Sequence, residues 1–113
     1  MGLLITNSVA TSIGENKTNL WGTVVFNTQE LLLTGKVQCE LSFYKSEADY
    51  DAGLDKIYPV IDGNKITNCT IQILVTDVIK ASGQSTMQDV VVFFYTKVIT
   101  YLQSTYGWTV TIQ

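Results

Sequence analysis

Between Val37 and Tyr44 apolar and polar residues alternate without a break, with Val37, Cys39, Leu41 and Phe43 on one parity and Gln38, Glu40, Ser42 and Tyr44 on the other. A period of two places side chains on opposite faces of a strand and cannot be wound into an amphipathic helix. One apolar face and one polar face is the pattern of an antiparallel sheet covered on one side only. This segment therefore commits the chain to a sheet whose apolar face needs a cover. Cys69, Ile71, Ile73 and Val75 alternate in the same way with Thr70, Gln72, Leu74 and Thr76, as do Trp108, Val110 and Ile112 with Thr109, Thr111 and Gln113. Asp62-Gly63-Asn64 is a strong turn signal between Ile57–Ile61 and Lys65–Val75, and predicts a hairpin there.

Other strands are shorter. Trp21–Phe26 reads as a strand followed by a turn at Asn27-Thr28, and Leu31-Leu32-Leu33 leads through Thr34-Gly35 into the central alternation. Leu3–Ile5 reads as a buried first strand, whereas the polar stretch Thr11–Asn19 reads as an exposed loop, making residues 1–20 a candidate extended arm.

Two segments start as helices do. Ser46-Glu47-Ala48-Asp49 has the form of a capping box, with carboxylates in the first turn where the helix dipole favours them, and Gly53 is placed to stop it; a helix is predicted at Glu47–Ala52. After a break at Ala81–Ser85, Ser85-Thr86-Met87-Gln88 opens a run to Tyr106 that is too long for an ordinary strand. Its Val90–Tyr95 portion is rich in strand-forming residues. Asp89, Thr96, Thr100 and Gln103 nonetheless fall on one stripe, as in a helix with a wide apolar surface, and Gly107 is placed to end it. The expected architecture is α+β: a mostly antiparallel β-sheet, one main C-terminal helix packed on a face, and a final strand, all in a single domain spanning 1–113.

Composition excludes several functions. The chain has no histidine, and its seven basic residues are all lysine. Histidine-based general catalysis, serine triads and histidine zinc sites are out of reach, and two cysteines cannot close a structural zinc site. Phosphate-binding glycine loops are absent from the sequence. Glu47, Asp49, Asp51 and Asp55 cluster, but Ala52-Gly53 is out of step with a calcium loop and no terminal glutamate follows. No catalytic residue, metal ligand or cofactor is expected, and the chain reads as a non-enzyme. A net charge of −3, a pI of about 4.6 and scattered lysines argue against direct nucleic-acid binding. No apolar run approaches the ~18 residues of a membrane span. Met1–Thr6 fits a loose myristoylation pattern but reads better as the buried strand. Cys39 and Cys69, both on apolar parity, read as buried free thiols. The sequons at Asn16 and Asn68 read as coincidences in a chain rich in Asn and Thr.

Charged residues are only 15%, replaced largely by hydroxyl and amide side chains including fifteen threonines. Surfaces destined to be covered are depleted in charge. The surplus apolar face of the C-terminal helix supplies a candidate interface, Val91, Phe94, Tyr95, Val98, Tyr101 and Leu102, for burial against a second copy. An alternative use of Phe93, Phe94, Tyr95, Tyr101, Tyr106 and Trp108 is to line a pocket, making the chain a small cytoplasmic ligand-binding domain.

The segment Phe43-Tyr44-Lys45-Ser46-Glu47-Ala48-Asp49-Tyr50-Asp51-Ala52-Gly53, continuing through Ile57-Tyr58-Pro59-Val60, resembles small structural proteins of tailed-bacteriophage virions, in which a strand, a short acidic helix ending in Ala-Gly and an extended segment precede further sheet. The composition, with lysine as its only basic residue and abundant Thr and Asn, is similar to virion proteins from AT-rich phage genomes such as the crAss-like group. The resemblance implies a non-enzymatic virion subunit assembled in the host cytoplasm, which forms a homo-oligomer and docks onto other virion structural proteins as a head–tail connector, tail or capsid-associated component. It carries over no functional residue.

Overall fold

The computed structural model describes residues 1–74, 76–77 and 87–113. Its elements are β1 (Leu3–Ile5), β2 (Val9–Ala10), β3 (Asn16–Lys17), β4 (Leu20–Asn27), α1 (Leu31–Thr34), β5 (Lys36–Tyr44), α2 (Glu47–Asp51), β6 (Val60–Ile61), β7 (Asn64–Lys65), β8 (Asn68–Gln72), α3 (Met87–Tyr106) and β9 (Val110–Ile112). Five strands form one antiparallel sheet in the order β8-β5-β4-β1-β9. The α+β architecture read from the sequence, with its C-terminal helix and final strand, is the one observed.

The long β4–β5 ladder organises the sheet. Its register sets Val24 opposite Leu41, Phe26 opposite Cys39 and Gly22 opposite Phe43 on the inner face. Phe43 is fully buried, and a Cβ added at Gly22 would lie 2.7 Å from its ring. Glycine at that position lets the ring cross the neighbouring strand, which any larger residue would prevent. Next to β5, β8 adds Ile71 opposite Val37 and Cys69 opposite Cys39; on the far side β1 and β9 add Leu3, Ile5, Val110 and Ile112. These inward residues form one continuous apolar cluster.

Helix α3 fills the hollow of this curled sheet and lies close to both edge strands, β8 and β9. Phe94, Tyr95, Val98 and Leu102 point into the cluster, while Thr96, Thr100 and Gln103 face outward on the predicted polar stripe. Phe26 packs against both Phe94 and Tyr95, at ring separations of 5.2 and 5.5 Å. Past the Leu3↔Gly22 pair the Tyr95 hydroxyl continues the bonding, accepting from the Val24 N–H at 3.3 Å and donating to the Met1 carbonyl at 3.4 Å. At the other edge the Gln103 amide donates to the Val110 carbonyl at 3.4 Å. Gly107, at φ 71°, ends the helix as expected.

Two sequence expectations are corrected. Leu3–Ile5 is the buried first strand expected, but residues 1–20 are not an extended arm: β1 lies inside the sheet between β4 and β9, and β2 and β3 fold into a small hairpin held by a Thr11↔Pro59 bridge. The Asp62-Gly63 turn forms as predicted, both residues at positive φ, but the hairpin it closes is only β6 with β7. Pro59 accepts from the Ile66 N–H but has no N–H to return, and the chain then transfers to β5, where Leu41 donates to the Thr67 carbonyl. Leu31-Leu32-Leu33 leads through Thr34-Gly35 into β5 as expected, and does so as the helical turn α1, with only Leu31 buried. The predicted second capping box at Ser85-Thr86, the break at 81–85 and the inward Val75 lie outside the described residues.

Replacing Phe43 with alanine would leave a cavity above Gly22 that backbone on both sides prevents from closing. Denaturant unfolding should show a loss of about 3–5 kcal/mol.

Candidate functional site

The six helix residues nominated as an interface are not a free surface. Phe94, Tyr95, Val98 and Leu102 are buried in the domain's own core, the last two completely, and Val91 and Tyr101 are half-buried against it. The helix is broadly apolar because a curled sheet touches it on more than one side. Its outward Phe93 stacks edge-on against Phe94 and is capped by the Lys97 ammonium, 5.4 Å from the ring centre.

Exposed apolar groups cluster at the two ends of the β4–β5 ladder, while Val25, 62% exposed, stands alone on its outer face opposite Glu40. At one end, α1 joins Asn27 to Lys36 and presents Leu32 and Leu33, 79% and 85% exposed. Thr34 Oγ1 donates to the Glu30 carbonyl, and Gly35 closes the turn in the left-handed conformation, so the two leucines are held outward by a fixed backbone. Leu74, 66% exposed, belongs to the same end, since the preceding Ile73 N–H donates to the Gly35 carbonyl. The result is an apolar knob.

At the opposite end Trp21 pairs with Tyr44 across the outer face. Tyr50 of α2 leans on both rings, 5.0 Å from Trp21 and 5.1 Å from Tyr44. The predicted cap holds α2 in place: the Asp49 N–H donates to Ser46 Oγ at 3.2 Å, and the Ser46 hydroxyl donates to Asp49 Oδ1 at 3.2 Å. Beside this cluster an open groove of about 700 Å³ is lined by Ile13, Tyr44, Tyr50, Leu54, Asp55 and Lys56. Ile13, Tyr50 and Leu54 are all exposed, so the groove offers apolar walls with one acid and one amine at its rim. Trp21 itself is buried, and its indole N–H has no partner among the described residues; ring packing, not hydrogen bonding, holds it.

This arrangement can bind but offers no activated nucleophile. Glu47, Asp49 and Asp51 sit on or beside the first turn of α2, and among the described residues no group of three or more Cys, Asp or Glu side chains converges as a metal site requires. No helix among the described residues is long and apolar enough to cross a membrane. The groove escaped the sequence reading because Tyr44 lies on the polar parity of β5 and only the cross-strand register shows that Trp21 covers it. The knob had a visible signal: three consecutive leucines cannot all satisfy a period of two. Compared with protein-family models, curated proteins and solved structures, the chain matches none.

Cys39 and Cys69 are free and buried, as expected, and lie directly opposite each other. Their mutual hydrogen bond, reinforced by burial, raises the Cys39 thiol above its ordinary value of 9.0. Burial likewise raises the Tyr95 hydroxyl above 10.0, against the pull of the Val24 N–H. Both groups keep their protons in the folded chain at pH values where the unfolded chain has released them. Stability from these groups is therefore complete below about pH 9 and falls as pH rises through 9–10 and beyond. Cys69, lowered by the same bond, works in the opposite sense to Cys39, so Tyr95 sets the sign. Unfolding midpoints should decline as pH rises above about 10, and a rise over that range would refute the assignment.

Proposed function

We propose that this chain is a non-enzymatic structural subunit of a tailed-phage virion, which self-associates and docks onto other virion proteins as a head–tail connector, tail or capsid-associated component. The observation that carries the assembly reading is the pair of leucines on α1, 79% and 85% exposed on a rigid turn of a charge-poor domain. Isolated exposed apolar residues are ordinary, but adjacent leucines held outward by backbone bonds are suited to contact. The phage assignment is supported by the sequence resemblance around Phe43–Val60.

The knob and the groove lie at opposite ends of β5, a strand about 26 Å long from Lys36 to Tyr44 at a rise of ~3.3 Å per residue. A knob on one copy entering the groove of the next is a heterologous contact, and repetition of such a contact gives a ring or an open chain. Docking onto a different virion protein would use whichever end the oligomer leaves open. A second reading, a small ligand-binding domain, is favoured by the Tyr44–Tyr50 groove, whose volume suits a small organic molecule.

Multi-angle light scattering over a concentration series should show a discrete oligomer, and Leu32→Ser/Leu33→Ser should shift it towards monomer by at least tenfold in dissociation constant without lowering the melting temperature. A monodisperse monomer at high concentration that binds no virion component would sink the assembly reading. Native mass spectrometry showing a retained small molecule on a monomer would establish the second reading instead.

A further inference from the structure

We infer that Cys39 and Cys69 are a disulfide-forming pair, which a low-molecular-weight disulfide converts into a cross-strand staple between β5 and the edge strand β8. The inference is independent of the assembly reading.

The register carries the argument. Cys39 and Cys69 are direct partners in the β5–β8 ladder, and both side chains point to the inner face. On either side of them, Leu41 donates to the Thr67 carbonyl at 2.8 Å and Ile73 donates to the Gly35 carbonyl at 2.7 Å. Hydrogen-bonded pairs recur every second residue, so Cys39–Cys69 is itself a hydrogen-bonded pair, with a typical Cα separation of about 5.5 Å. That meets the Cα spacing of a disulfide, and closing the bond draws the two Cβ atoms together from the roughly 5 Å of opposed strand residues. The two thiols face each other across the ladder, with the Cys39 thiol donating to the Val37 carbonyl at 3.7 Å.

Burial keeps both sulfurs from reagents in the closed fold, but among the described residues β8 is an edge strand, bonded on one side only. Edge strands open locally at a smaller free energy than a core strand does. When β8 opens, the Cys69 thiolate attacks one sulfur of the reagent disulfide; a Cys69–reagent bond forms, the reagent bond breaks, and one reagent thiolate leaves and takes up a proton. The Cys39 sulfur, after losing its proton to solvent, then attacks Cys69 Sγ and expels the second reagent thiolate. Two protein thiols are oxidised, one reagent disulfide is reduced to two thiols, and no other electron acceptor is needed. The closed loop, residues 40–68, contains Tyr44, Tyr50 and Leu54, so the staple would also restrain the walls of the groove.

The test is incubation of the native full-length chain with oxidised glutathione, followed by denaturing alkylation, intact mass measurement and peptide mapping. The expected product is monomeric, carries no alkyl group and no glutathione, shows a Cys39–Cys69 linked peptide, and melts about 5–15 °C higher until dithiothreitol reverses it. A Cys39→Ala variant should instead retain glutathione on Cys69, because the resolving thiol is gone. Retention of one glutathione on the wild-type chain, disulfide-linked dimers, or two alkylated thiols under conditions where Cys39→Ala is modified would each overturn the inference.

Discussion

The pairing of β4 with β5 is the constraint on which the rest of this structure depends. From Trp21↔Tyr44 to Asn27↔Gln38 it fixes which residues of two long strands share a face. Because the side-chain period is two, a slip of one residue would turn Phe43, Leu41 and Cys39 out to water and bring Glu40 and Gln38 inside. Gly22 under Phe43 opposes such a slip, since no other residue of β4 would leave room for that ring. The remaining strands and α3 complete the apolar face that this ladder creates. Both candidate contact features are products of the same ladder: the knob is its connecting turn, and the groove forms where its open end is covered by α2.

The inner half of the fold was legible in the sequence because it depends on local alternation. Val37–Phe43, Cys69–Ile73 and Val110–Ile112 each state their parity within a few residues, and Gly107 and Ser46 state where helices stop and start. What was not legible depends on long-range register. Leu3–Ile5 reads as a buried strand, but nothing near it shows its place between two others, because its partners Leu20–Gly22 and Val110–Ile112 are distant in sequence. Tyr44 looks like an outward polar-side residue until Trp21 is set opposite it.

The helix shows how a correct pattern can lead to the wrong surface. Its polar stripe was read correctly, and so was its excess of apolar positions. A flat sheet would have left part of that excess uncovered, but a sheet that curls meets it from both edges. Val98 and Leu102 are accordingly fully buried. Exposed apolar side chains cluster at the ends of the ladder, where loops hold them in geometries that period-based reasoning does not describe.

The central claim is that this domain makes its contacts through the ends of the β4–β5 ladder and not through α3. Hydrogen–deuterium exchange, compared between dilute and concentrated protein, tests it directly. The account predicts that concentration-dependent protection appears together at residues 31–35 and at 50–56, with α3 unchanged. Protection confined to α3, with both ends of the ladder exchanging as in the dilute sample, would contradict it.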